Sequence, residues 1–114
     1  MLPQARDFLT EVGELDALLA TIAPTDWARP TGFKQWTIDD IVQHLHSGDL
    51  LGAASAESPE KFAALRAEAQ ALRDQGLTRV EETRRRIVLT GEPLRRLWRS
   101  QAEALARTLG AMAP

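Results

Sequence analysis

An all-α fold, a single small helical bundle, is what this sequence predicts, on three observations. Apolar residues recur at steps of three and four along most of the chain, and strict alternation is nearly absent. Prolines and helix-capping residues stand at the joints between the periodic stretches. The length, 114 residues, suits one compact domain spanning 1–114, which can bury roughly two-thirds of the surface its unfolded form exposes.

The first helix starts at Pro3, a residue suited to a first helical position, and runs to about Ala23. Phe8, Val12, Leu15, Leu19 and Ile22 form its apolar stripe, with Glu11, Glu14 and Asp16 off it. Pro24 ends it. Residues 24–36 read as an ordered connection marked by Pro24, Pro30 and Gly32. Trp27, Phe33 and Trp36 make that connection unusually aromatic, so it is expected to fold back over an end of the bundle.

The second helix has the best-specified start. With Thr37 as N-cap, Asp40 falls at N3 to close a capping box, and Trp36 and Ile41 fall where a hydrophobic staple forms. Asp39 and Asp40 face the positive end of the helix dipole. This helix is expected to reach about Ala54. Ser58-Pro59 opens a third segment with Phe62, Leu65, Ala69 and Leu72 on one face, and Gly76 ends it. Thr78-Arg79-Val80-Glu81 fits a second capping box for a short helix. The last helix runs from about Pro93 to Leu109 with Leu94, Leu97, Trp98, Gln101, Leu105 and Leu109 along its stripe. Three principal helices with one or two shorter ones between the second and the last are therefore expected.

Composition narrows the function classes. The chain has no Cys, which excludes a disulfide scaffold, a thiolate nucleophile and any Cys-based metal site, and suits a reducing cytoplasm. The apolar run around residues 50–56 is about a third of a membrane span, and the charged amino terminus is no signal peptide. A soluble, cytoplasmic protein without a membrane or nucleic-acid partner is expected, because the formal charge of −2 carries no basic footprint. Charge placement is uneven. Residues 1–57 hold 3 basic and 9 acidic side chains, whereas residues 58–114 hold 11 and 7. Adjacent helices of opposite charge attract, within one chain or between the two copies of a dimer. Arg84-Arg85-Arg86, one turn after Glu81 and Glu82, reads as a solvated helix face.

Few residues can carry chemistry. The two histidines, His44 and His46, both lie on the second helix. With Ile41 at 0°, Leu45, Ile38 and Val42 lie at about 40°, 60° and 100°, His44 at about 300° and His46 at about 140°. The imidazoles diverge too far to share one ion, unlike an i,i+4 pair. His44 is expected at the border of the apolar face and His46 on the surface. Asp40 shares the face of His44 and can orient its ring, in competition with its own capping role. Ser47 diverges from His46 by about 100° and forms no dyad with it. Gly48 and Gly52 read as close helix packing, and Arg95, Arg96 and Arg99 as a solvated face able to hold an anion.

The pattern around His44 adds to this reading. Trp27…Pro30-Thr31 followed by Trp36-Thr37…Asp40…His44-Leu45 resembles the signature of the DinB-like superfamily. The closest resemblance is to the mycothiol-dependent maleylpyruvate isomerase amino-terminal domain branch, to which Asp49 and Leu97-Trp98-Arg99 also fit. Gln35 stands where that pattern has Gly before the Trp. The strong motif covers residues 27–49, and the resemblance extends from about Leu9 to Leu109. It implies an up-down-down-up four-helix bundle holding a divalent metal, Zn or Ni, with His44 as the first ligand and water or an external low-molecular-weight thiol in the open position. It also implies metal-dependent isomerase or S-transferase chemistry on a small-molecule substrate. The remaining donors would lie on a fourth helix, commonly a Glu or His followed by a His, and no His follows His46. One imidazole does not make a zinc site. The expectation is a bundle lacking that helix and completed by a partner chain, most simply in a homodimer, and inactive alone. The competing expectation is a non-catalytic helical dimerisation module without metal.

Overall fold

The computed structural model describes residues 2–112. Five α-helices follow one another: α1 (Pro3–Leu19), α2 (Ile38–Glu57), α3 (Pro59–Asp74), α4 (Arg79–Arg86) and α5 (Gly91–Gly110). A single 3₁₀ turn, Pro24–Asp26, sits between α1 and α2. α5 lies between α1 and α2, and α3 and α4 pack on the far side of α2 and on each other. The molecule is flattened, with extents of 41 × 37 × 22 Å, its short axis about two helix diameters. No helix among the described residues is long and apolar enough to cross a membrane.

The core sits where α1, α2 and α5 meet. Val12, Leu19, Trp27, Val42, Ile87, Leu94, Trp98 and Ala102 form one buried cluster, with Phe8, Leu15, Ile22 and Ile38 packed against it. Leu94, Ala102 and Ala106 are fully buried. The two alanines keep that face of α5 small, and a Cβ added at Gly52 of α2 would already reach van der Waals contact with Leu105. Gly48 does not share that role. A Cβ there would meet nothing within 4 Å, because the residue faces a cavity rather than a packed helix.

Helix boundaries follow the punctuation. α1 stops at Leu19, a turn earlier than its apolar stripe, and Ile22 reaches the core from the turn that follows. α2 continues one turn past Ala54, where Ser58 both ends it and caps α3 by accepting from the Lys61 N–H. α3 spans 16 residues, nearly the length of α1, so four helices are long rather than three. α5 begins at Gly91, two residues before Pro93. The folded-back connection is real. Trp27 is buried, its carbonyl accepts from the Asp39 N–H, and Thr31 N–H donates to the Trp36 carbonyl at 2.7 Å.

Candidate functional site

The entry to α2 organises everything around it. Thr37 Oγ1 accepts from the Asp40 N–H at 3.0 Å, and the Thr37 N–H donates to Asp40 Oδ2 at 2.9 Å, closing the expected capping box. The other task of Asp40 is an ion pair. Arg84 of α4 grips it as a fork, Nε to Oδ1 at 2.7 Å and Nη2 to Oδ2 at 2.8 Å. That guanidinium holds the Asp40 carboxyl below its ordinary range although burial opposes it. Both oxygens are thus committed to Thr37 and Arg84, and Asp40 does not orient His44. Asp39 ties α2 to α5, its Oδ1 accepting from the Gly91 N–H at 2.8 Å and so serving an otherwise open donor of α5. Gly91 has φ 59°, a conformation that glycine adopts without strain. Gln43 is buried and donates to the Leu89 carbonyl at 3.0 Å.

The two histidines stand in exchanged environments. His46 is buried, 2% exposed, and its Nδ1 has no hydrogen-bond partner; burial pushes its pKa below the ordinary value. His44 is exposed, with its ring edge-on to Trp36 at 5.4 Å between centroids. The apolar pattern alone misplaces them. Val42, Gln43 and His46 lie on the buried side of α2, whereas Leu45 remains 37% exposed. Trp36 meets the rings of Phe33 and His44 edge-to-face. The turn before it holds Lys34 and Gln35 at φ 51° and 63°. Gln35 therefore adopts the left-handed conformation for which glycine is suited.

His44 lies on the wall of a cavity of about 270 Å³ between α2, α3 and α4. Ser47, Gly48 and Leu51 continue the α2 wall; Arg66 and Arg73 come from α3, and Arg79, Glu82 and Arg86 from α4. Glu82 is buried and paired with Arg86 at 2.7 Å, and Arg86 also donates to Ser47 Oγ at 3.0 Å. Arg86 is thus no solvated residue, with a side chain only 12% exposed. Ser47 is engaged by Arg86 and not by His46, so no dyad forms. Arg95 and Arg99 point across to Asp16 of α1 at 2.8 and 2.6 Å, while Arg96 is 78% exposed. The acidic first half and basic second half therefore meet within the chain, through Asp40–Arg84 and Asp16–Arg95/Arg99.

A second concavity runs between α1 and α2 over Trp98, lined by Phe8, Val12, Leu15, Leu45 and Asp49. Asp49 Oδ2 is buried without a partner there, and burial pushes its pKa up to about 6.

Residues 8–114, nearly the whole chain, match the family model of the mycothiol maleylpyruvate isomerase N-terminal domain. The chain belongs to this family. No curated protein and no solved structure matches it.

As a mycothiol maleylpyruvate isomerase N-terminal domain, the chain can be tested for a metal centre on its own donors. Among the described residues no three His, Cys, Asp or Glu side chains come together. Around His44 the cavity wall offers arginines, and its carboxylate, Glu82, is already held by Arg86. A divalent ion takes at least three protein donors in such sites, and the described residues do not fit one. The cavity arginines of α3 escaped sequence reasoning, although Arg66 and Arg73, seven residues apart, share a helix face.

Proposed function

We propose that this domain is a small-molecule-binding part of a thiol-dependent isomerase or S-transferase system, with His44 as one metal donor. The cavity beside His44 is its ligand pocket. The family supports this reading, and the observation that carries it is the exposed His44 imidazole on the cavity wall. The further donors to Zn or Ni come from outside the described residues, and a low-molecular-weight thiol comes from solution because the chain has no Cys. On this reading the polypeptide alone is inactive. The test is a zinc or nickel titration against a chromophoric chelator, with the chain and its His44→Ala variant. Weak binding that disappears in His44→Ala supports the proposal. Tight stoichiometric metal that survives the substitution, or no metal with either protein, overturns it.

A second reading, a helical dimerisation module without metal, is favoured by the apolar groove of Phe8, Leu15 and Leu45 between α1 and α2. A second copy of the chain laid over it would remove these side chains from water. Light scattering would then give twice the chain mass, reduced to one chain mass in Leu45→Glu. A monomer at high concentration rules this reading out.

A further inference from the structure

We propose that the cavity between α2, α3 and α4 is a binding site for a small, multiply charged oxyanion. The other arginines that reach across this chain's helices are paired. Arg84 faces Asp40, Arg95 and Arg99 face Asp16, and Arg86 faces Glu82. Each guanidinium that bridges or supports two helices has a carboxylate. Arg73, half-buried, and Arg66 and Arg79, both exposed at the mouth, line the cavity from α3 and α4, and none of the three is in an ion pair among the described residues.

Arg73 is the most informative of the three. Its Nη2 donates to Gln70 at 2.9 Å, while its Nε is buried and has no acceptor. A buried guanidinium N–H without an acceptor is costly, and an oxyanion in the cavity would supply one. Arg66 lies over the Phe62 ring at 5.7 Å, which holds its guanidinium beside the cavity. Four arginines against one glutamate give the wall a strong positive charge, and a concave surface of one sign concentrates that field. Guanidinium forks match the oxygens of phosphate and carboxylate groups. Three unpaired cations call for more than one negative charge.

Size sets the other limit. A cavity of about 270 Å³ falls just below the usual range of roughly 300–1,000 Å³ for ligand pockets, so the ligand is small. Gly48 leaves the α2 wall open, since a Cβ there would meet nothing within 4 Å. Oxyanion binding here requires no metal at His44.

The test is calorimetric titration in metal-free, low-salt buffer with inorganic pyrophosphate, citrate and acetate as probes, followed by thermal melting. Expected is one pyrophosphate or citrate per chain with a raised melting temperature, and no saturable acetate binding. Preference for pyrophosphate marks the phosphoryl class, preference for citrate the polycarboxylate class. Arg73→Gln combined with Arg79→Gln should weaken binding at least tenfold. Arg96→Gln combined with Arg107→Gln removes equal charge elsewhere and should leave affinity unchanged. Gly48→Leu, which fills the cavity from α2, should abolish binding with helix content retained, should the double variant fail to fold. Because the titration is run in metal-free buffer, saturable polyanion binding there is read without any metal at His44, which separates this proposal from the metal reading. No binding of either polyanion, or equal loss in both double variants, overturns it.

Discussion

α5 and α3 are both long amphipathic helices, yet they do opposite work. α5 buries Leu94, Trp98, Ala102, Leu105 and Ala106, whereas α3 buries no residue at all. α5 is clamped on two sides, by α1 and α2, and its apolar stripe closes a dry core. α3 rests on α2 and on the short α4, with an arginine-lined cavity beneath it. An apolar stripe in sequence thus shows which face turns inward, while the number of neighbours decides how deeply. One half of the molecule is held by burial of apolar surface, the other by caps and ion pairs around the cavity.

The sharpest way to break that comparison is a matched pair of truncations. Trp98→Ala removes a 3%-exposed indole from the core and is expected to destabilise the protein by about 4 kcal/mol in urea unfolding. Phe62→Ala on α3, whose ring is only half-buried, should cost less than about 1 kcal/mol. Comparable losses would erase the distinction between the halves.

Asp40 is the strap between them. Asp40→Ala removes the N3 side of the α2 capping box and the acceptor of Arg84. Arg84 can return to solvent, its side chain already 52% exposed, so a loss of about 2 kcal/mol is expected from the cap and a charge-assisted hydrogen bond together. The capping share alone should remain in Arg84→Gln, which keeps Thr37 and Asp40 intact.

On the other side of α2, Asp49 gives a pH signature. Its folded pKa is raised to about 6 from an ordinary 3.8, so the folded chain holds this proton more tightly than the unfolded one. The carboxylate therefore opposes folding above about pH 6, and the opposition fades as pH falls from 6 toward 3.8. Asp49→Asn should stabilise the protein at pH 7.5, with a gain that shrinks through pH 6 and is gone at pH 4. A gain independent of pH would place Asp49 in water. His46 acts in the opposite sense: its pKa is lowered from 6.5 by burial, so stability from this group is lost as pH falls below about 6.5.

The smallest effect concerns the turn that presents Trp36 to His44. Gln35 sits at φ 63°, and Gln35→Gly should raise stability by about 1 kcal/mol in thermal melting. A loss would show that the Gln35 side chain holds the turn.

These contrasts also mark what could be read from sequence. Both capping boxes, Thr37 with Asp40 and Thr78 with Glu81, form as spacing predicts, because they depend on residues three apart. The return of Trp27 to the core and the attraction between acidic and basic halves were equally legible. The environments of His44 and His46 were not. A hydrophobic pattern places Leu45 inside, but burial on α2 also goes to Asp40, Gln43 and Ser47, polar residues held by Arg84, Leu89 and Arg86, and to His46, which has no partner at Nδ1. Buried polar groups take their place from long-range partners, which no local period encodes. The cavity depends likewise on α3 and α4 meeting over α2, and only the Arg66–Arg73 spacing hinted at it.

Residue-resolved hydrogen exchange, with and without inorganic pyrophosphate, measures this division most directly. Amides of residues 94–106 should exchange only through global unfolding, those of α3 through a partial opening of much lower free energy, and pyrophosphate should slow α3 and α4 selectively. Protection of α3 equal to that of α5, or slowing spread evenly over the molecule, would contradict a dry core joined to a charged, ligand-accepting layer.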